Sequence, residues 1–489
     1  MDTNRFGGID ADADDLLKDC FRDHPAYIEA KEHRRFLIVG RKGSGKTAIF
    51  RRLITDEQHN QLAFGHSFDD YPWHHHDLQG QVGVPDERRF LHSWSYLINM
   101  SLTRLLLNRD QSQPWAESAL PPLEDLERFV VDSYGTREPD VRQLFSPSRK
   151  LKLKGKLKLG LVELDSEGIP VPELPVHIAE VNQVVSEAVV ESLNPDIHYY
   201  VCFDELDLGF EPDNPKYHRR LIGLILAARS MNMAAKDRGK SLTVAVFLRD
   251  DIYSLLKFED KNKTTEGDLV SVFWTDSDTP GSLTLRNLME RRFAQVAGEG
   301  ETTVAWADVF DESKQMPGRQ EKYQHICDRT FLRPRDMIKF CNEIAVAQEG
   351  RNGKTGQLFE NEDLSQARER YSTYLLKELE DEIHKHVPHY REYLNVLRRI
   401  GSLQFTRTRF LEECKGAPAF NELSVSPDEA LQDLFDFSVI GVKQSGGASG
   451  GSRIIWRYRS FDERPVDDAD TFRVHAGFKE ALELIQGER

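Results

Sequence analysis

The sequence predicts an α/β fold in which a parallel sheet lies between helices. Three observations carry that reading. Short, nearly fully apolar runs recur at Phe36–Val39, Tyr199–Phe203 and Leu242–Leu248, a length and composition suited to strands buried on both faces. The stretches between them carry apolar residues at helical spacing, most clearly Phe90, Trp94, Leu97, Ile98, Leu102, Leu105 and Leu106. The first run leads into Gly40-Arg41-Lys42-Gly43-Ser44-Gly45-Lys46-Thr47, a full G-x-x-x-x-G-K-[ST] pattern, and then into Ala48, Ile49, Phe50 and Leu53 with helical spacing.

Strand, glycine-rich loop, helix is the context in which that pattern cradles phosphate. Gly40, Gly43 and Gly45 admit backbone conformations that a Cβ forbids, so N–H groups can point at phosphate oxygens. The helix that follows adds its positive end. Gly40, Gly43, Ser44, Gly45, Lys46 and Thr47 are therefore the expected nucleotide-binding residues, with Lys46 on the β- and γ-phosphates and the Thr47 hydroxyl on Mg²⁺.

Composition sets the bounds. At 489 residues the chain exceeds a single core, so several domains are expected. It is 39% hydrophobic and 30% charged, and its apolar runs are far shorter than the roughly 20 residues of a membrane span. The acidic start MDTNRFGGIDADADD has no apolar core, which argues against a signal peptide. Five scattered cysteines without CxxC spacing fit a reducing cytoplasm and argue against structural zinc. Consecutive His74-His75-His76 cannot all face one ion, and no metal is assigned to them. A net charge of −16 excludes coating nucleic acid with the whole surface, so any such contact needs a local basic face.

Residues 11–33 read as one or two short helices, and 63–73 as a second strand. Helices are expected over 89–107 and 123–134. Lys150, Lys152, Lys154, Lys156 and Lys158 alternate with apolar residues and Gly155, the period of a strand with five lysines on one face. It is a candidate DNA contact; the blander reading is a solvated edge that discourages edge-to-edge pairing. This ribbon, at about 145–170, reads as an insertion into the core.

After a linker at 170–175 and a helix over 176–193, the run Tyr199–Phe203 ends in Asp204-Glu205, a Walker B pattern. Asp204 is expected to hold Mg²⁺, and Glu205 to orient and polarise the attacking water. Asp207 assists the metal or only begins the next loop. A helix is expected over 217–236. The strand Leu242–Leu248 ends at Arg249, a candidate γ-phosphate sensor, or else a partner for Asp250 or Asp251. Helix 283–293 carries Arg286, Arg291 and Arg292, read as an arginine-finger candidate set or, more plainly, a solvated basic face. Arg335, or Arg333, at the start of helix 337–346 is the second sensor candidate.

Asp363–His386 reads as a long charged helix. Three helices (389–399, 407–414, 427–435) and two strands (438–443, 453–460) about a Gly/Ser-rich tip form a winged-helix pattern. Its third helix carries Asp428, Glu429, Asp433 and Asp436 and no base, which favours a protein contact over DNA. Arg398, Arg399, Arg407, Arg409, Arg453, Arg457 and Arg459 keep the DNA reading open.

In the order GRKGSGKT, YYVCFDELD, VAVFLRDD, LRPRDMIKF and winged helix, the chain resembles the AAA+/STAND division of P-loop ATPases. It looks most like stand-alone bacterial ATPases related to the origin-recognition initiators, a group also met in phage-defence operons. The resemblance implies ATP and Mg²⁺ at Lys46, Thr47 and Asp204, hydrolysis supported by Glu205, and sensor positions at Arg249 and Arg335. An Arg at the first sensor is closer to STAND signalling ATPases than to initiators. The expectation is a core at about 12–300, a helical lid at 301–386 and a winged helix at 387–489. The expected activity is that of an ATP-hydrolysing cytoplasmic switch working with a partner or effector protein, as a monomer or homo-oligomer. The alternative is a DNA-binding, initiator- or clamp-like ATPase.

Overall fold

The computed structural model describes residues 4–56, 60–68, 88–145, 174–276, 283–298, 303–352, 358–444, 452–459 and 466–486. The lysine ribbon at 150–158 and His74–His76 lie outside these residues. The chain forms two compact units. One comprises Asp23–Arg41 and Gly45–Val272; the other comprises Met1–Arg22, Lys42–Ser44 and Phe273–Arg489.

The first unit is built on five parallel strands: β1 Leu37–Gly40, β2 Gln61–Ser67, β3 His198–Asp204, β4 Ser241–Arg249 and β5 Leu269–Ser271, in the order β2-β3-β4-β1-β5. The expected α/β fold with a parallel sheet among helices is what forms. Alternation along the strands sorts the two faces. Leu37, Val39, Tyr199, Val201, Phe203, Val244, Val246 and Leu248 share one apolar cluster with Trp94, Leu97, Val185, Leu221 and Ile225 of the helices Leu91–Asn108, Leu174–Ser192 and Pro215–Asp237. On the other face Phe247 meets Phe50 of helix Lys46–Thr55 edge-on, ring centroids 5.8 Å apart. β1 separates β4 from β5, so the chain reverses direction across the sheet at β1. Loops at the carboxyl ends of parallel strands beside such a reversal form the crevice where ligands bind in open α/β sheets.

The second unit is mostly helical. Helix Leu285–Ala297 begins in a capping box between Thr284 and Asn287. Helices Pro334–Asn352 and Asn361–Ile383 pack through Phe340 and Tyr371, whose rings stack at 4.3 Å. The N-terminal residues join this unit: the Phe6 N–H donates to Asn342 Oδ1 at 2.8 Å, and Arg292 pairs with Asp14 at 2.5 Å. Arg292 is 3% exposed, so it belongs to the core and not to a solvated basic face.

Helices Tyr390–Ile400, Arg407–Lys415 and Pro427–Asp436 lie at the expected places. The sheet beside them corrects the sequence reading. It has four antiparallel strands in the order β6-β9-β7-β8: β6 Gln404–Thr406, β7 Ile440–Gln444, β8 Arg453–Ile455 and β9 Thr471–Val474. Phe405 of β6 stacks on Phe472 of β9 at 5.6 Å, an aromatic cross-strand pair that fixes their register. Among the described residues all five cysteines are buried and unpaired, and no helix is long and apolar enough to cross a membrane.

Candidate functional site

The register aligns Gly40 with Arg249, so the end of β1 and the end of β4 lie side by side. From Gly40 the backbone enters a loop with φ of +76° at Gly43 and +101° at Gly45, left-handed values on either side of Ser44. A Cβ at Gly43 would lie 3.1 Å from both Cβ and Cδ of Arg335, a second reason for glycine there.

Three of the loop's carbonyls are held by side chains and backbone far along the chain. Arg333 Nη1 donates to Lys42 O at 3.0 Å, the Arg335 N–H to Gly43 O at 3.5 Å, and Trp274 Nε1 to Ser44 O at 2.9 Å. In a planar trans peptide the carbonyl and the next N–H point in opposite directions. The N–H groups of Gly43, Ser44 and Gly45 are thereby aimed away from those three anchors. None of them donates to a described residue. Ser44 Oγ is buried without a partner among the described residues as well. Successive unpaired N–H groups around left-handed glycines make an anion-binding concavity. Helix Lys46–Thr55 starts at Gly45 with no side-chain cap, so its first N–H groups add to the same positive field.

Lys46 Nζ donates to Gly40 O at 2.9 Å and Arg41 O at 3.0 Å. Burial lowers its pKa, against the opposing charges of Asp204 and Asp207. Asp204, at the end of β3, is 3% exposed. Burial raises its pKa to about 6, although Lys46 and a hydrogen bond from Thr47 pull the other way. Its Oδ2 is buried with no hydrogen-bond partner among the described residues. An orphaned carboxylate oxygen beside a threonine hydroxyl is a donor set that suits a hard divalent cation, so Asp204 and Thr47 fit Mg²⁺. Glu205 follows with φ +60°, a strained value for a residue with a Cβ. Its carboxylate accepts a hydrogen bond from Ser67 Oγ at the end of β2.

The two sensor candidates meet different surroundings. Arg249 is held at both ends of its guanidinium by Asp251, at 3.0 and 2.6 Å, and touches Asp207 at 3.3 Å. Of the second pair, Arg333 is buried in ion pairs with Asp336 at 2.8 Å and Glu382 at 2.6 Å. Arg335 stays partly exposed, with Nε on Ile9 O and Nη1 on Glu378, both at 3.1 Å. Of the finger candidates, Arg291 donates to Asp19 O and Arg286 lies over the Tyr323 ring.

Ser67 and Trp274 were not read as site residues from sequence. Ser67 lies 138 residues from Glu205, and Trp274 lies 230 from Ser44, so no local pattern joins them. The one available signal is that a buried indole N–H needs an acceptor.

A parallel-sheet α/β unit, with a glycine-containing loop of left-handed turns after its β1 strand, is the class that the fold defines. Beyond that class, residues 283–380 match the family model of the FunZ-associated C-terminal helical domain, a span that holds the helices from Leu285–Ala297 to most of Asn361–Ile383. Over 410 residues the chain is 23% identical to the putative transposon gamma-delta 80.3 kDa protein of Escherichia coli (strain K12). That alignment takes in 81% of this chain and 54% of the relative, so the chain spans about half the relative's length.

Proposed function

We propose that this protein is an ATP-binding and ATP-hydrolysing molecular switch of the AAA+/STAND type, acting with a partner protein in bacterial defence or signalling. The observation that supports this best is the set of unpaired N–H groups at Gly43, Ser44 and Gly45, beside Lys46, with their carbonyls tied elsewhere. Such groups would bind the oxygens of a nucleoside triphosphate. Thr47 and Asp204 would hold Mg²⁺, which neutralises phosphate charge when bound. Glu205 would accept a proton from the attacking water as its oxygen bonds to the γ-phosphorus and the bond to the β-phosphate oxygen breaks. Release from Ser67 would free the Glu205 carboxylate for that role. Arg335, beside Gly43 and paired with Glu378, would exchange that pairing for the γ-phosphate, so that triphosphate and diphosphate favour different arrangements of the helical unit. The core, lid and winged-helix divisions at 12–300, 301–386 and 387–489 belong to the same proposal.

The test is steady-state ATP turnover against protein concentration, with Glu205→Gln as control. A Glu205-dependent rate supports the reading, and a rate that climbs with concentration adds completion of the site by a second copy. Turnover that survives Glu205→Gln unchanged would refute the assigned chemistry.

A second reading is a DNA-binding, initiator- or clamp-like ATPase, favoured by the word transposon in the relative's name. It predicts DNA affinity that falls steeply with salt and with Lys152→Glu plus Lys154→Glu. Salt-independent binding, or none, would remove it.

A further inference from the structure

Two arginines of the helical unit share one acceptor. Arg329 Nε and Arg368 Nε each lie 3.1 Å from Nε2 of His325. A neutral imidazole offers one lone pair at that nitrogen, so it cannot serve both donors fully. The ring is held neutral: burial and the charges of Arg329, Arg368 and Lys479 lower the His325 pKa to about 2. Arg329, 8% exposed, spends its other donors on Ala476 O at 3.1 Å and Glu480 at 3.5 Å. The terminal nitrogens of Arg368 have no partner among the described residues. Arg368 is half-buried, which leaves its fork within reach of solvent.

The surrounding charges do not balance. Arg329, Arg368 and Lys479 all act on His325, Arg473 acts on Arg329, and the opposing carboxylates are Glu480, beside both Arg329 and Arg368, and Asp328, beside Arg329. Burial lowers the pKa of both Arg329 and Arg368, and for Arg368 the neighbouring Arg329 lowers it further. A local excess of positive charge around the buried Arg329, in a chain of net charge −16, favours an anion from outside. A guanidinium fork matches a pair of phosphate oxygens, which an ammonium cannot do.

We propose that Arg368, backed by Arg329 and Lys479, is a binding site for a phosphate group. That group belongs to free inorganic phosphate or to a nucleic-acid backbone. The site is separate from the Gly40–Thr47 loop and does not depend on the ATPase reading.

The experiment uses the full-length chain carrying Lys46→Ala, so that the loop contributes little. Inorganic phosphate and, separately, a short single-stranded oligonucleotide are titrated at low salt. The readouts are the ¹³C-labelled ring signal of His325, assigned through His325→Gln, and the melting temperature. Binding shifts the His325 signal and raises the melting temperature, and Arg368→Gln weakens both responses by roughly fivefold or more. Arg368→Lys, which keeps the charge and loses the fork, falls between and serves as the test if the glutamine variant does not fold. A response to phosphate alone assigns a free anion. A response to oligonucleotide at far lower concentration, with a steep salt dependence, assigns a nucleic-acid backbone. A His325 signal unmoved by either ligand, or equal binding by the parent and both Arg368 variants, overturns the proposal.

Discussion

The carboxyl ends of the parallel strands and the arginines of residues 390–459 handle polar groups in opposite ways. In the second region cations are answered by acids: Arg399 by Glu413 at 3.0 Å, Arg409 by Glu413 at 2.8 Å, Arg407 by Asp428, Arg457 by Asp436 at 3.8 Å, and Arg459 by Asp276 at 2.8 Å. At the strand ends, Asp204 Oδ2 and the N–H groups of Gly43, Ser44 and Gly45 have no partner among the described residues. Groups that pair internally hold a fold together. Groups left unpaired in a buried place are costly unless a ligand meets them. The contrast counts against these five arginines as a ready DNA surface, because each already has an acid; Arg398 and Arg453 bond instead to the amides of Asn395 and Gln444.

Four measurements break or sharpen that contrast. Arg333→Ala leaves Asp336 and Glu382 as buried, unanswered carboxylates and also drops Lys42 O, so it should cost about 3–5 kcal/mol by denaturant melts. A loss below about 1 kcal/mol would mean the triad is not holding the unit.

Asp204→Asn should do the reverse, raising the stability of the ligand-free chain while abolishing turnover. The folded pKa of about 6 lies above the ordinary 3.8, so the folded chain binds this proton more tightly than the unfolded one. Stability from this group therefore falls as pH rises between those values, and the penalty is complete above about 6. Two pKa units correspond to about 3 kcal/mol in full, of which about 1.3 kcal/mol should be recovered on acidification from pH 7 to 5 in the parent, with no such gain in Asp204→Asn. Equal pH profiles for the two chains would exclude a raised Asp204. The ionised form is the one that would hold a cation, so nucleotide binding with Mg²⁺ should weaken below pH 6.

Lys46→Ala should lower ATP affinity by on the order of a hundredfold, read by calorimetry. Unchanged affinity would sink the phosphate-cradle reading. The smallest effect belongs to Arg399→Ala. Its pair with Glu413 is 45% exposed on the arginine side, so a change of about 0.5 kcal/mol or less is expected. A large loss would mean that these pairs do more than neutralise charge.

Local features were legible in the sequence, and long-range ones were not. β1, β3 and β4 were readable because strands buried on both faces are apolar throughout. β5 was not: it has three residues, none fully buried, and gains its strand character only by pairing with β1. β6 was missed because three residues with one buried side chain, Phe405, are too short for a pattern, and β9 because four residues of alternating Thr-Phe-Arg-Val look like any short loop. The loop from Gly40 to Thr47 was visible as a motif, and the Asp204–Glu205 pair followed from it. Sequence could not separate Arg333 from Arg335, since the difference lies in Glu382 and Glu378, about one helical turn apart on another element.

The loop's anchors also set a timetable for biosynthesis. Lys42 precedes Arg333 by 291 residues, and Ser44 precedes Trp274 by 230. At roughly 5–20 residues per second, about 15–60 s separate the emergence of the loop from that of its last carbonyl anchor. Through that interval a nascent chain has the glycines and Lys46 but not the groups that turn the carbonyls aside. Those carbonyls therefore cannot be held in their final direction until Arg333 has left the ribosome.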